Sequence, residues 1–252
     1  MYANLIGLNK IKIGAVSYLN TKPLLYGIKH SAIINNIELI EDHPANIAEL
    51  LLANKIDIGL VPTAIIPQIS NATIVADYCI GANATVASVC LFSETTIDNI
   101  EAVILDYQSR TSVALCKILL KEYWKREVKF IEGREGYRNE IKGTTAAIVI
   151  GDRAFEQAKQ SAYKYDLAEA WINFTKLPFV FAAWVANTNI EQEFMNAFNK
   201  ANAYGIENID KVVEDINYPF YNLQYYYTNN ISYFLDEEKK KGLELFLQFL
   251  KQ

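Results

Sequence analysis

Histidine and cysteine are almost missing from this chain: its 252 residues include only 2 His and 3 Cys. So few imidazoles nearly exclude a His-built metal centre and leave little for a His-based catalytic pair. Cys79, Cys90 and Cys116 are odd in number and contain no C-x-x-C pair. They read as buried thiols in a reducing compartment, not as a disulfide framework. There is no H-E-x-x-H, no G-K-[ST] phosphate loop and no G-x-G-x-x-G after a strand. No metal, nicotinamide, flavin or nucleotide cofactor is therefore expected. The net charge of −5 offers no general attraction to nucleic acid or anionic lipid. The longest apolar run, around Pro178 to Ala186, is about ten residues, against the roughly 20 needed to span a bilayer. Met1 to Gly7 lacks a basic region followed by an apolar stretch and a cleavage site. A cytoplasmic protein without a membrane partner is the expectation.

What is present is a folded chain, 51% hydrophobic and 21% charged, long enough for one or two domains. Strands and helices alternate. Ile11 to Val16 is a short apolar strand, Thr21 to Gly27 has helical spacing, and Ile37 to Ile40 is a second strand. Asn46 to Ala53 is a helix with Pro44 near its start, and Asp57 to Val61 is a buried strand stopped by Pro62. This β-α-β-α-β order predicts a parallel open sheet. Thr73 to Ile80 and Ala84 to Phe92 read as extended strands that run between lobes or pair across a turn. Further strands are expected at Ala102 to Leu105, Val128 to Ile131, Ala146 to Ile150 and Phe179 to Ala186, with a helix over Arg110 to Trp124. Beyond Ile190 the pattern is helical, ending in Asp236 to Leu250 with Asp236 as its N-cap. The expected architecture is two α/β lobes: residues 88–178 inserted into a lobe built from 1–87 and 179–252, with the ligand cleft between them.

Four stretches hold polar residues that the local patterns do not need. Ser17 and Asn20 follow the first strand, where open α/β sheets bind ligands; Asn20 or Thr21 as a helix cap is the competing reading. Asp106 to Ala114 runs from a strand through Ser109, Arg110, Thr111 and Ser112 into a helix, the geometry of an anion site. There the competing reading is capping by Ser109 with Arg110 solvated. Ile150-Gly151-Asp152-Arg153 ends another strand, where Asp152 can cap the next helix and Arg153 can be surface. Ser88 sits at an expected crossing between lobes, with a strand hydroxyl as its plainer role.

Taken together, these stretches resemble the chorismate dehydratases of the futalosine route to menaquinone. The resemblance is carried by Ser17-Tyr18-Leu19-Asn20 with Pro23-Leu24, Ser88-Val89, Ser109-Arg110-Thr111-Ser112 and Ile150-Gly151-Asp152. Tyr165-Asp166-Leu167 with Trp171, and Leu177-Pro178-Phe179-Val180-Phe181-Ala182 with Trp184, continue it in the same order. It departs at Asn83-Ala84, where Gly is common, and at Lys176, where Gly is frequent. The resemblance implies a two-lobed type II periplasmic-binding-protein-like fold with a helical C-terminal segment. It also implies conversion of chorismate to 3-[(1-carboxyvinyl)oxy]benzoate with loss of water. The small molecule chorismate is then the expected partner, with no nucleic acid, and the chain acts as a monomer or homodimer. Within it, Asn20, Ser17 and Asp152 are the catalytic candidates, and Ser88, Ser109, Arg110, Thr111 and Ser112 the substrate-binding ones. Asn20 is a neutral amide and no ordinary base, so the proton acceptor is either Asp152 or a carboxylate of the substrate. His30 and His43 lie outside the matched stretches and read as surface or capping residues, and the tyrosines at 221 and 225–227 as core or interface. A non-catalytic binding protein for a small carboxylate, the related 1,4-dihydroxy-6-naphthoate synthase and a transcription-factor effector domain are the alternatives. The synthase opening, Ser-Pro-Cys-Pro-Asn, and its histidine are not visible here, and no helix-turn-helix precedes the first strand.

Overall fold

Two mixed β-sheets, each layered with helices, form the chain in a computed structural model that describes residues 10–214 and 216–251. The expectation for Met1 to Gly7 lies outside the described residues. The chain begins with β1 (Ile11–Val16), α1 (Lys22–Lys29), β2 (Ile37–Asp42), α2 (Pro44–Leu52), β3 (Ile58–Pro62) and β4 (Thr73–Ala82). It crosses to β5 (Val89–Ser93), β6 (Ala102–Leu105), α3 (Thr111–Ile118), β7 (Lys129–Glu132), β8 (Thr145–Ile150), α4 (Asp152–Gln157), β9 (Tyr163–Asp166) and α5 (Leu167–Thr175). It returns through β10 (Phe179–Ala186) to α6 (Gln192–Glu207), α7 (Ile209–Glu214), α8 (Leu223–Tyr225), β11 (Ser232–Phe234) and α9 (Glu237–Phe249).

The first sheet has the order β11-β4-β10-β3-β1-β2, and the second β7-β6-β8-β5-β9. β1 pairs in parallel with β2 and β3, as the alternation predicts. β10 runs antiparallel to both β3 and β4, so the first sheet is mixed rather than parallel throughout. The return strand enters from the far side and must run against its neighbours. β4 and β5 do not pair with each other. Each belongs to its own sheet, and residues 83–88 join them. Three elements were not among those expected: β9, mostly exposed on one edge, α5, and β11, three residues inside a stretch that otherwise reads as helix.

β3 and β5 are buried along their whole length, and one apolar core runs through both sheets from Ile13 and Leu60 to Leu91 and Ile148. Removing such strands from water is the main favourable term in folding. α1, which follows the first polar stretch, is seated on α6 by close backbone approach. A Cβ on Gly27 would lie 1.9 Å from the Ala201 carbonyl oxygen, and one on Gly205 1.9 Å from that of Pro23. Both positions require glycine for that crossing. Among the described residues no helix is long and apolar enough to cross a membrane.

Candidate active site

A cavity of about 610 Å³, counting its open mouth, lies between the two sheets. Its walls are mainly apolar, from Val16, Leu60, Pro62, Ile80, Val89, Ile150 and Phe181. The polar lining is Tyr18, Asn20 and Thr21 on one side and Gln108, Ser109, Thr111 and Ser112 on the other. A mostly apolar cleft with a few convergent polar groups is the usual form of a small-molecule site.

On the first-sheet side, β1 leads into a 3₁₀ turn, Leu19–Thr21, and then directly into α1. Neither start has a side-chain cap of its own. The capping reading for Asn20 and Thr21 is therefore overturned. Asn20 faces the cavity, and its Oδ1 accepts the Thr21 hydroxyl at 3.2 Å, which leaves the Nδ2 donors for a bound ligand. The Tyr233 hydroxyl holds the Asn20 carbonyl at 2.9 Å.

On the second-sheet side, the turn after β6 is braced from within. Asp106, buried, accepts the Gln108 N–H at 2.9 Å, and Ser109 Oγ accepts the Ser112 N–H at 3.1 Å. Ser109 thus caps α3 as expected and still lines the cavity with a hydroxyl proton to give. Helix geometry leaves the first N–H groups of α3 without intrahelical partners, and the helix dipole makes that end positive.

Several bonds cross between the sides. The Tyr18 hydroxyl donates to Gln108 Oε1 at 2.7 Å, the Leu19 N–H to Asp152 Oδ1 at 3.3 Å, and the Ala64 N–H to Thr111 Oγ1 at 3.1 Å. Asp152 therefore caps a helix start, but that of the opposing side, not its own α4. Burial raises its carboxyl above the ordinary 3.8, against the lowering effects of the Leu19 N–H, Lys22 and Arg153. Burial likewise pushes the Tyr18 hydroxyl up to about 12, so it remains a proton donor. Gly151, which precedes Asp152, has φ 63° and ψ −148°, a region open essentially to glycine alone. A Cβ built there would stand 3.5 Å from the Tyr18 ring, so this turn also backs the tyrosine.

Of the sequence candidates, the structure brings Asn20, Ser109, Thr111 and Ser112 to the cavity wall. It does not bring Ser17, Ser88, Arg110 or Asp152 there. Ser17 is half-buried at the end of β1, its N–H bonded to the Asp42 carbonyl at 3.1 Å. Arg110 is exposed. Ser88 is fully buried and accepts the Tyr226 hydroxyl at 2.7 Å. Arg153 is not a surface residue. It pairs with the carboxylate of Asp106 at 2.9 and 3.2 Å. His30 and His43 are both exposed and off the cavity. The late tyrosines form an interface: Tyr221 stacks on Phe155 of α4 at 4.4 Å, and Tyr226 meets the same ring edge-on at 5.0 Å. Gln108 and the roles of Tyr18 and Thr63 were missed, because their partners are distant in sequence. Thr63 donates to the Val180 carbonyl at 2.8 Å and stands 3.5 Å from Thr111 Oγ1.

Asp166 explains one stretch of the sequence resemblance without chemistry. Its carboxylate takes the Ala168 and Glu169 N–H groups as the cap of α5 and the Ala87 N–H at 2.7 Å at the crossing. Lys176, where the family pattern often has Gly, ends α5 with φ 64°, the left-handed cap conformation glycine favours.

Comparisons with known proteins place the fold and the family. A chorismate dehydratase of Thermus thermophilus is 26% identical over 263 residues, covering 94% of each chain. A solved Archaeoglobus fulgidus protein superposes with TM-score 0.73 at 13% identity, over 96% of this chain and 97% of that one. The periplasmic aliphatic sulphonate binding protein SsuA of Escherichia coli gives TM-score 0.60 at 14% identity, over 96% and 92%. A Candida albicans protein with the generic periplasmic binding protein fold gives 0.64 at 12% identity, over 95% and 90%. These likenesses show the fold, that of the periplasmic binding proteins. The menaquinone biosynthesis family matches residues 11–252, from β1 through the C-terminal helix, and the chain belongs to that family.

Proposed function

We propose that this chain is a cytoplasmic hydro-lyase that converts chorismate to 3-[(1-carboxyvinyl)oxy]benzoate and water. The reading is carried by the whole-length similarity to a relative named chorismate dehydratase, together with a mainly apolar cavity lined by part of the stretches that carry the resemblance. In this reading, 1–87 with 179–252 and 88–178 act as two lobes that close over the substrate.

Chorismate has two carboxylates, a ring hydroxyl and an enolpyruvyl ether. One carboxylate docks at the N-terminus of α3, taking donors from Ser109, Thr111, Ser112 and the free backbone N–H groups. Arg110 and Ser88 do not line the cavity and are given no direct contact with the substrate. Asn20 Nδ2 orients the second carboxylate or the departing hydroxyl, with Ser17 behind it at the end of β1. In the reaction, the ring C–H next to the hydroxyl-bearing carbon loses a proton, and its electron pair enters the ring as the C–O bond breaks. The hydroxide takes up a proton to leave as water, and the ring becomes aromatic. Tyr18 is the one titratable side chain on the wall and holds its proton, so it is no base. The Asp152 carboxylate is engaged with the Leu19 N–H. A carboxylate of the substrate is then the proton acceptor. Closure excludes water and aligns these groups.

The absence of a base on the wall also suits a non-catalytic receptor, and one assay separates the two. Purified protein incubated with chorismate is expected to yield an aromatic product lighter by one water, seen by mass and ultraviolet absorbance. Binding without product would favour the receptor. Asn20→Ala should lose nearly all turnover, roughly 100-fold or more, as removal of one preorganised donor does elsewhere. Asp152→Asn, which keeps an acceptor for the Leu19 N–H, should retain substantial turnover. The reverse ranking would make Asp152 the base.

A further inference from the structure

The proposed substrate is a dianion, yet none of the side chains on the cavity wall carries a charge at neutral pH. A carboxylate does stand close behind that wall. Asp106 has a fully buried side chain, and its position is two residues before Gln108 and three before Ser109. It holds the turn by accepting the Gln108 N–H, while its own backbone carbonyl accepts the Ser109 N–H at 3.2 Å. An unneutralised carboxylate there would repel any anion docking at the start of α3, since buried charges interact strongly. Arg153 reaches it from α4 with two contacts from one guanidinium nitrogen, and the Tyr137 hydroxyl adds a third neighbour at 2.7 Å. The Arg153 side chain is 25% exposed, and its guanidinium lies 5.8 Å from the ring centre of the exposed Tyr107. At Tyr18, on the opposite wall, the charges of Arg153 and Asp106 are both felt, with opposite sign.

We infer that Arg153 is a positioning residue that gives the cavity its preference for an anion, by neutralising Asp106 beneath the Ser109–Ser112 helix end. This rests on the reading of that helix end as a carboxylate site. Arg153 need not touch the substrate. It removes a repulsion that the turn's own architecture creates, and it lets Asp106 brace the turn without closing it to carboxylates. The pair is thus a specificity element placed one layer behind the donors.

The test has two arms. In the first, KM and kcat for chorismate are measured for the wild type, Arg153→Gln, Arg153→Lys and the double variant Asp106→Asn/Arg153→Gln. Arg153→Gln should raise KM at least tenfold with a smaller change in kcat, and Arg153→Lys should stay within about threefold of the wild type. The double variant, with both charges gone, should recover most of the loss. In the second arm, affinities for benzoate and for uncharged benzamide are compared by titration. The wild type should prefer benzoate, and Arg153→Gln should lose that preference. An unchanged benzoate preference in Arg153→Gln would overturn the inference. So would a double variant no better than the single one, because the arginine would then act only by shape. A wild type that prefers benzoate but makes no product from chorismate would refute the dehydratase and leave this inference standing.

Discussion

The two walls of the cavity are built on opposite principles. The α3 side is braced mainly from within: Asp106 ties Gln108, Ser109 caps Ser112, and Arg153 balances Asp106, with Thr111 alone taking an N–H, that of Ala64, from across. The α1 side is not. Its turn has no cap of its own and takes Asp152 and Gln108 from across the cleft as partners for Leu19 and Tyr18. One wall is therefore braced largely from within, while the other is held by partners from across the cleft. Substrate should dock first on the α3 side, and Asn20 should come into register on closure. Binding and chemistry would then be assigned to different walls.

The sharpest way to break that comparison is a matched pair of variants. Ser109→Ala removes a cap and a donor from the α3 wall, and should raise KM roughly tenfold while kcat changes less, by the usual cost of a cap. Tyr18→Phe removes only the cross-cleft hydrogen bond, worth about 1 kcal/mol net, and should lower kcat about fivefold with KM nearly kept. Steady-state kinetics on both variants checks this, and the opposite assignment would end the idea of a docking wall and a closing wall.

A smaller effect concerns the charge that spans the cleft. Burial keeps the folded Asp152 carboxyl above its unfolded value, so the folded protein binds that proton more tightly than the unfolded chain. Stability from this group is then gained as pH falls through the raised pKa and lost above it. Asp152→Asn should accordingly have a higher Tm than the wild type at pH 7, and the two melting curves should converge toward about pH 4. A variant less stable at pH 7 would mean that the charged bond to Leu19 outweighs desolvation. The smallest effect lies outside the cleft. Lys176→Gly should stabilise by about 0.5 kcal/mol in urea unfolding, because release of the left-handed strain exceeds the added backbone entropy.

How much of this was legible in the sequence depends on how far each partner lies along the chain. The strands from β1 to β3 and the polar turn at Ser109 announce themselves, because a period or a cap is written within a few residues. Asn20 could be placed past the end of β1 on the same local grounds. Its freedom from capping duty could not, since the cap of the Leu19 N–H stands 133 residues away at Asp152, and the partner of the Tyr18 hydroxyl 90 away at Gln108. Arg153 looked like surface because its partner is 47 residues upstream. β11 was hidden for a related reason: only pairing with β4 makes three residues a strand. Local patterns record local bonds, and this cleft is held by distant ones.

The neutrality of the cavity wall has one more consequence. Tyr18 is the one titratable side chain on the wall, and burial pushes its hydroxyl up to about 12, so no lining group gains or loses charge within a unit or two of neutral pH. The wall itself therefore keeps its charge around neutral pH. A response to falling pH would instead begin behind the wall, at the Asp152 carboxylate that holds the Leu19 N–H.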